Sequence, residues 1–266
     1  MQNIWTKAVI VCLILALIAV AGCSEPLVTE EVKESYTIKP NTILEIYNPN
    51  GSVSVNIWDG DSVEIEAVKK SYHGRDALEA VDIFISIADV MKIETEHPPG
   101  RKNVTVDYEI RIPGDVKLGV VECSNGSISI NGVTGNPDLR TSNGNIEAIN
   151  VQGVVYASGS NGNINVTGSK GIDFLRTSNG SIEAELESLH EDVSIRTSNG
   201  SITLYASPNL EANIAANTSN GTVSVHNLSI ETAELEQTVL TGTMNGGGRV
   251  IDLSTSNGSI ELRQLR

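Results

Sequence analysis

Hydrolysis of a glycosidic bond takes two carboxylates held ~5–10 Å apart across a groove. In this 266-residue chain the acids closest to that pattern are Glu147 and Glu183, at equivalent outward positions of a repeat and two repeats apart. At the ~4.8 Å spacing of neighbouring strands their separation is roughly 10 Å. The competing reading is a solvated face with ion pairs between coils, each worth about 0–1 kcal/mol. The outward row of Arg140, Arg176 and Arg196 fits that reading. Tyr156, Phe174 and Tyr205 are the few aromatics of the repeat region, and no sugar-stacking strip is obvious among them. His73, His97, His190 and His226 form no H-E-x-x-H or other metal-spaced pair and read as surface or loop residues. There is no G-x-S-x-G elbow and no P-loop. The Gly-rich run Asn245 to Gly248 lacks the Lys and the following helix of a phosphate cradle, and reads as a turn. A calcium β-roll would put Asp at each corner, and the corners here carry Ser-Asn-Gly. The sequence therefore points to no metal, no cofactor and no enzyme activity.

The remaining reactive groups are thiols. Ala8 to Ala21 is an unbroken apolar run of 14 residues preceded by Lys7. As a helix it would span roughly 21 Å, short of the ~30 Å hydrocarbon core. It reads as the apolar stretch of a signal peptide rather than as a permanent anchor helix. The run ends Val20-Ala21-Gly22-Cys23, which resembles the lipobox of prokaryotic lipoproteins. That resemblance implies cleavage before Cys23 and lipid on its sulfur and new amino group. An ordinary signal peptide with a Cys at its cleavage site is the alternative. Two acyl chains anchor stably where one binds only marginally. The expected layout is a signal peptide over 1–22, an acidic tether over 23–34 and a folded body over 35–266. The membrane is reached through lipid on Cys23, and the body faces outside the cytoplasm. With Cys23 acylated, Cys123 has no disulfide partner and reads as a small buried residue. Asn103, Asn165 and Asn227 begin Asn-x-Ser/Thr sequons, a minor possibility for glycosylation.

What positions these groups is an Asn-Gly repeat. It occurs at Asn125-Gly126, Asn143-Gly144, Asn161-Gly162, Asn179-Gly180, Asn199-Gly200, Asn220-Gly221 and Asn257-Gly258, with an upstream copy at Asn50-Gly51. The seven downstream copies are separated by 18, 18, 18, 20, 21 and 37 residues. The last interval is about two periods and suggests one divergent coil near Asn245. Counting from each Asn, the third and fifth following residues are apolar and the fourth is polar: Ile128-Ser129-Ile130, Ile146-Glu147-Ala148, Ile182-Glu183-Ala184. Strict alternation defines a half-buried strand. A second short strand precedes each corner, with Leu139 and Thr141, or Leu175 and Thr177, facing inward. Each corner is Ser-Asn-Gly, where positive φ is expected. An antiparallel meander or sandwich with Asn-Gly hairpins is the alternative. Recurrence of identical residues favours a parallel β-solenoid, which stacks like on like and allows an Asn ladder. Residues 35–118 read as less regular first coils and a cap, and 119–266 as regular repeats. The polar C-terminal Glu261, Arg263, Gln264 and Arg266 are expected to protect the last edge.

Composition narrows the partners. Lys plus Arg number 18 against 33 Asp plus Glu, a net charge of −15, so a nucleic-acid partner is not expected. The 24 Gly residues are largely corners.

The stretches Asn50-Gly51-Ser52-Val53, Trp58-Asp59-Gly60-Asp61, Asp107 to Pro113 and the Thr-Ser-Asn-Gly-Ser-Ile repeats resemble the prokaryotic putative-adhesin family of β-strand repeat proteins, a domain of unknown function. The likeness covers roughly residues 35–266. It implies a single-domain, all-β solenoid at the cell envelope. The leading functional expectation is a lipid-anchored, non-enzymatic adhesion, interaction or envelope-structural module with a protein or glycan partner at the cell surface. The alternatives are an envelope-stress or regulatory accessory protein binding another membrane protein, and a carbohydrate-active β-helix using Glu147 and Glu183.

Overall fold

Alternation of apolar and polar residues continues on both sides of every Asn-Gly, so each repeat supplies two strands that bury one face each. The computed structural model describes residues 26–100 and 104–265. Cys23, the apolar run before it, Asn103 and Arg266 lie outside the described residues.

The first part of the chain runs β1 (Val28–Tyr36), β2 (Ile43–Asn50), β3 (Val53–Trp58), β4 (Val63–Ser71), a one-turn helix α1 (Arg75–Glu79), β5 (Asp82–Ile87), β6 (Val90–Glu96) and β7 (Val104–Pro113). Regular coils follow as β8 (Lys117–Asn125) with β9 (Ile128–Asn131), β10 (Asp138–Asn143) with β11 (Ile146–Ile149), and β12 (Val154–Asn161) with β13 (Ile164–Thr167). The next are β14 (Gly171–Asn179) with β15 (Ile182–Leu186), β16 (Val193–Asn199) with β17 (Ile202–Ala206), and β18 (Ala212–Asn220) with β19 (Val223–His226). Then come β20 (Glu231–Leu235), β21 (Val239–Met244), β22 (Arg249–Asn257) and β23 (Ile260–Gln264).

These strands form an all-β solenoid of two facing sheets. The strand before each corner lies in a sheet of 12 strands, and the strand after it in a sheet of 11. Pairing is parallel and in register, with Asn125, Asn143, Asn161, Asn179 and Asn199 opposite one another in turn. At ~4.8 Å per strand the stack is roughly 50 Å long. The inward rows make one continuous core: Val121, Leu139, Ala157, Leu175 and Ile195 from one sheet, and Ile128, Ile146, Ile164, Ile182 and Ile202 from the other, are all at most 1% exposed. Each fully buried Ile or Leu contributes about 1.5–3 kcal/mol.

Three expectations change. The acidic segment assigned to a tether forms strand β1 over its described part, pairing antiparallel with β4 from Val28↔Ser71 to Tyr36↔Val63. Its Val28, Val32 and Tyr36 pack against the core. The acids Glu30, Glu31 and Glu34 reflect an edge strand, and such strands carry charge against further pairing. Second, the long last interval holds no divergent coil. Residues between Asn220 and Asn257 form an antiparallel hairpin, β20–β21, that pairs with β18. The chain then returns, and β22–β23 insert between the β16–β17 coil and the β18–β19 coil. The C-terminal strand is therefore internal, and the edges at this end are β19 and β20. Coils of equal register are interchangeable in the stack, so the spacing along the chain cannot encode their order. Third, no corner Asn has positive φ; among the described residues the non-glycine residues that do are Asn41, Asn150, Asn227 and Asn245. Asn150 and Asn227, with Gly132 (71°) and Gly168 (59°), sit at the opposite corner, seven residues after the corner Asn of their coils.

The corner glycines answer to a different constraint. A Cβ on Gly126 would lie 2.0 Å from the Gly51 carbonyl oxygen, and one on Gly162 would lie 1.9 Å from that of Gly144. Gly162 has φ 145°, but Gly126 lies outside the left-handed range, so there the stacking distance alone demands glycine. Gly159 is the contrast: a Cβ there would first meet Thr141 O at 3.6 Å, an ordinary contact. Gly126→Ala should lower stability by about 3 kcal/mol or more, because the opposing backbone must move. Gly159→Ala should raise it by about 0.4–1 kcal/mol through the unfolded chain. Urea denaturation of both variants checks this, and a harmless Gly126→Ala would refute the stacking constraint.

Candidate functional site

The repeat residues singled out in the sequence converge on one edge of the rod. Asn143 Nδ2 donates to Asn125 Oδ1 at 2.9 Å, Asn161 to Asn143, Asn179 to Asn161, and Asn199 to Asn179, each at 2.9 Å. The ladder then leaves chain order: Asn257 donates to Asn199 at 2.9 Å and Asn220 to Asn257 at 3.0 Å. Every amide points the same way, so each bond polarises the next. Asn50 is in register with Asn125 but turns its amide to Val104 O at 2.8 Å. The corners Asn50-Gly51 through Asn257-Gly258 are thus a structural spine. Asn161→Ala removes one ladder donor and one acceptor and should cost about 1–3 kcal/mol, read as a lower urea midpoint with an unchanged slope.

Beneath the spine lies a second row. Thr141, Thr177, Thr197, Thr218 and Thr255 each donate Oγ1 to the corner Gly carbonyl of the neighbouring coil at 2.8–2.9 Å. Cys123 holds the corresponding slot. The acceptor it would serve, Gly51 O, is bonded by Asn48 Nδ2 at 2.9 Å, which also donates to Val106 O at 2.8 Å. A thiol is tolerated because no hydroxyl is needed there. Cys123 is 3% exposed, and burial, with a smaller push from Glu122, raises its thiol to about 12. The folded value exceeds the unfolded one, so the neutral thiol's contribution is complete below about pH 9 and is lost as pH rises toward about 12. Buried Tyr108, whose hydroxyl shares a hydrogen bond with Thr95, is also pushed up to about 12, chiefly by burial. Stability should therefore fall above pH 9. In Cys123→Thr that fall should be shallower by up to about 1.4 kcal/mol per pH unit, seen in urea midpoints measured between pH 8 and 11.

The carboxylate pair does not form a groove. Glu147 and Glu183 lie on the outer face of the 11-stranded sheet with Asn165 between them in register. Ser129 Oγ donates to Glu147 Oε2 at 3.1 Å. Among the histidines, His73, His190 and His226 are exposed, and half-buried His97 places Nε2 3.0 Å from Val104 O. His226 belongs to edge strand β19 rather than to a loop. Among the described residues no three His, Cys, Asp or Glu side chains gather as a metal-binding group, and no helix is long and apolar enough to cross a membrane.

The outer face of the 12-stranded sheet carries the other candidates. Arg140 pairs with Asp138 in its own strand, and Arg196 with Asp252 of the adjacent coil at 2.6 Å. Arg176 sits beside Arg196 in register. The aromatics dispersed in sequence are brought together here: Tyr156 and Phe174 stack with ring centroids 5.1 Å apart and planes at 24°. Only the parallel register, which sets Tyr156 opposite Phe174, could reveal this pair, because the two residues belong to successive repeats. Tyr205 is on the opposite sheet beside Arg263.

The family profile of Toastrack DUF4097 matches residues 111–263. The chain belongs to that family. Solved structures with some similarity include a putative cell adhesion protein from Clostridium sporogenes ATCC 15579, at 12% identity and TM-score 0.35, covering 89% of this chain and 100% of that one. A putative adhesin from Bacteroides fragilis NCTC 9343 matches at 12% and 0.38, covering 91% and 98%. One from Parabacteroides merdae ATCC 43184 matches at 9% and 0.25, covering 87% and 95%. No curated protein matches the chain.

Proposed function

We propose that this Toastrack chain is a lipid-anchored, outward-facing rod that acts as a non-enzymatic adhesion or interaction module at the cell envelope. The observation that carries the reading is the Val20-Ala21-Gly22-Cys23 sequence directly ahead of a body made almost wholly of stacked coils. A β-solenoid held by an amide ladder and a continuous core is rigid along its axis and offers two long, regular outer faces. Such a body suits display and contact. Glu147 and Glu183 stand on an open sheet face with Asn165 between them in register, which argues against glycoside hydrolysis, whose carboxylate pair flanks the bond in a groove. Strand β1 begins at Val28, so the folded body would start within five residues of the lipid and stand close to the bilayer. Cleavage before Cys23 would remove Lys7 and no acid, and the resulting net charge of −16 would be repelled by anionic headgroups, leaving the acyl chains to hold the protein there.

Metabolic labelling with a palmitate analogue should tag the wild type and fail in Cys23→Ala. Undiminished labelling of that variant would remove the anchor from the reading.

A further inference from the structure

Large apolar side chains left exposed are unevenly placed along the rod. Among the described residues they are Leu27, Ile43, Ile57, Tyr72, Phe84 and Ile87 toward the N-terminal end, and Leu235 and Val250 near the other. The regular coils from β8–β9 to β18–β19 carry none on their outer faces. At the N-terminal end both sheets stop in antiparallel strands, β1 on β4 in one and β5 on β6 in the other. Leu27 and Tyr72 follow directly on the terminal Val28↔Ser71 pair of β1 and β4, and Phe84 and Ile87 belong to β5. These four are 45–58% exposed. Ile83 and Ile85 tie β5 to the core, while Phe84 lies opposite Glu94 on the outer face. The edge strands β1 and β20 carry several acids, but β5 reads Asp-Ile-Phe-Ile-Ser-Ile, with one. An apolar edge strand left open to water is a site of aggregation, so β5 calls for a cover.

We infer that the N-terminal end of the solenoid seats on the lipid bilayer through Leu27, Tyr72, Phe84 and Ile87, so that the rod stands on the membrane instead of lying along it. The inference rests on the lipid-anchor reading above and adds the contact surface and the orientation. The length of chain before the fold selects the occupant. Leu27 follows Cys23 by four residues, at most about 14 Å of extended chain, so acyl chains on Cys23 would hold this end at the headgroups. Apolar side chains there enter the boundary between headgroups and acyl chains, and binding scales with the apolar area buried. Tyr72 suits that depth, because its ring is apolar and its hydroxyl stays wet. The contact is apolar, not ionic. The basic residues of β1, β4 and β5 are Lys33, Lys69 and Lys70, and each is paired with an acid: Glu31 and Glu66, Glu30, and Asp107. None is left to seek anionic lipid. Contact along the shaft would instead press polar rows such as Ser129, Glu147, Asn165 and Glu183 against the bilayer, at a desolvation cost.

The test takes the protein processed in cells, extracted from membranes and reconstituted into phosphatidylcholine vesicles containing nitroxide-labelled lipid. A fluorophore is attached at Ser86→Cys, exposed two residues from Phe84, or at Thr232→Cys, exposed at the far end. Cys123 is buried and leaves the engineered thiol as the labelling site. The expected result is strong quenching at position 86 and none at position 232, which stands at the far end of a stack roughly 50 Å long. Leu27→Gln/Tyr72→Gln/Phe84→Gln should reduce quenching at 86 about threefold or more while the acyl chains keep the protein on the vesicle. Its urea midpoint should stay near that of the wild type, because the three side chains are half-exposed. Vesicle-bound protein with no quenching at 86, equal quenching at 86 and 232, or quenching unchanged by the triple substitution overturns the inference and leaves the anchor standing. A disulfide-linked dimer of Ser86→Cys in place of quenching gives this end to a second copy and also overturns it. Mass spectrometry of the N-terminal peptide reads the anchor separately: a Cys23 without acyl chains removes the anchor and the inference together.

Discussion

Close approach of backbone to backbone at the Asn-Gly corner is the constraint on which the rest of this structure depends. Each corner carbonyl lies where a neighbouring side chain would otherwise begin, so the corner must be glycine in every coil. Once that spacing is set, the remaining rows follow. Asn amides meet head to tail on the outside of the corner, Thr hydroxyls reach the same Gly carbonyls from the inside, and the Ile and Leu rows close the core. No single one of these bonds is large. A buried hydrogen bond is worth about 1 kcal/mol net, and stability comes from their recurrence along one axis.

Recurrence also makes coils exchangeable, and the two ends of the rod show the result. At the N-terminal end the chain lays β6–β7 outside β2–β3 and then resumes the stack on the other side with β8–β9. At the C-terminal end β22–β23 enter between two coils that precede them in sequence. The ladder passes through this insertion without a break. At the N-terminal end both sheets finish in antiparallel strands, β1 on β4 and β5 on β6; at the C-terminal end one sheet finishes in antiparallel β20 and β21 and the other in the short parallel strand β19. An antiparallel edge does not present the pattern that a further parallel coil would need, and the acids Glu30, Glu31, Glu231 and Glu234 on those edges oppose pairing with another chain.

With the inner positions committed to packing, individuality is left to the outward positions and to departures from the repeat. Cys123 in place of Thr is such a departure, made tolerable by Asn48, which occupies the same slot one coil away and serves the carbonyl that a Thr would have served. The two outer faces diverge in the same way. One alternates small polar residues with glutamates, and the other sets arginines against Glu122, Asp138 and Asp252 beside a row of serines and a single aromatic stack.

Much of this was legible in the sequence because the period of the repeat and the period of a strand are both short and exact in register. The inward rows, the two strands per coil, the parallel solenoid and the Asn ladder all follow from like residues recurring at like positions. The order of the coils did not follow, because strands of identical pattern pair equally well with either neighbour, and only the path of the connecting hairpin decides between them. Strand β1 was hidden by its charge, which marks an edge as readily as a tether. The reason for the corner glycines was legible only in part. Sequence suggests a turn requirement, whereas the approach of one coil to the next exists only after stacking. For the same reason the Tyr156–Phe174 pair and the placing of Arg176 beside Arg196 belong to the tertiary structure alone. A chain read in one dimension shows these residues a repeat apart, and the parallel register makes them neighbours.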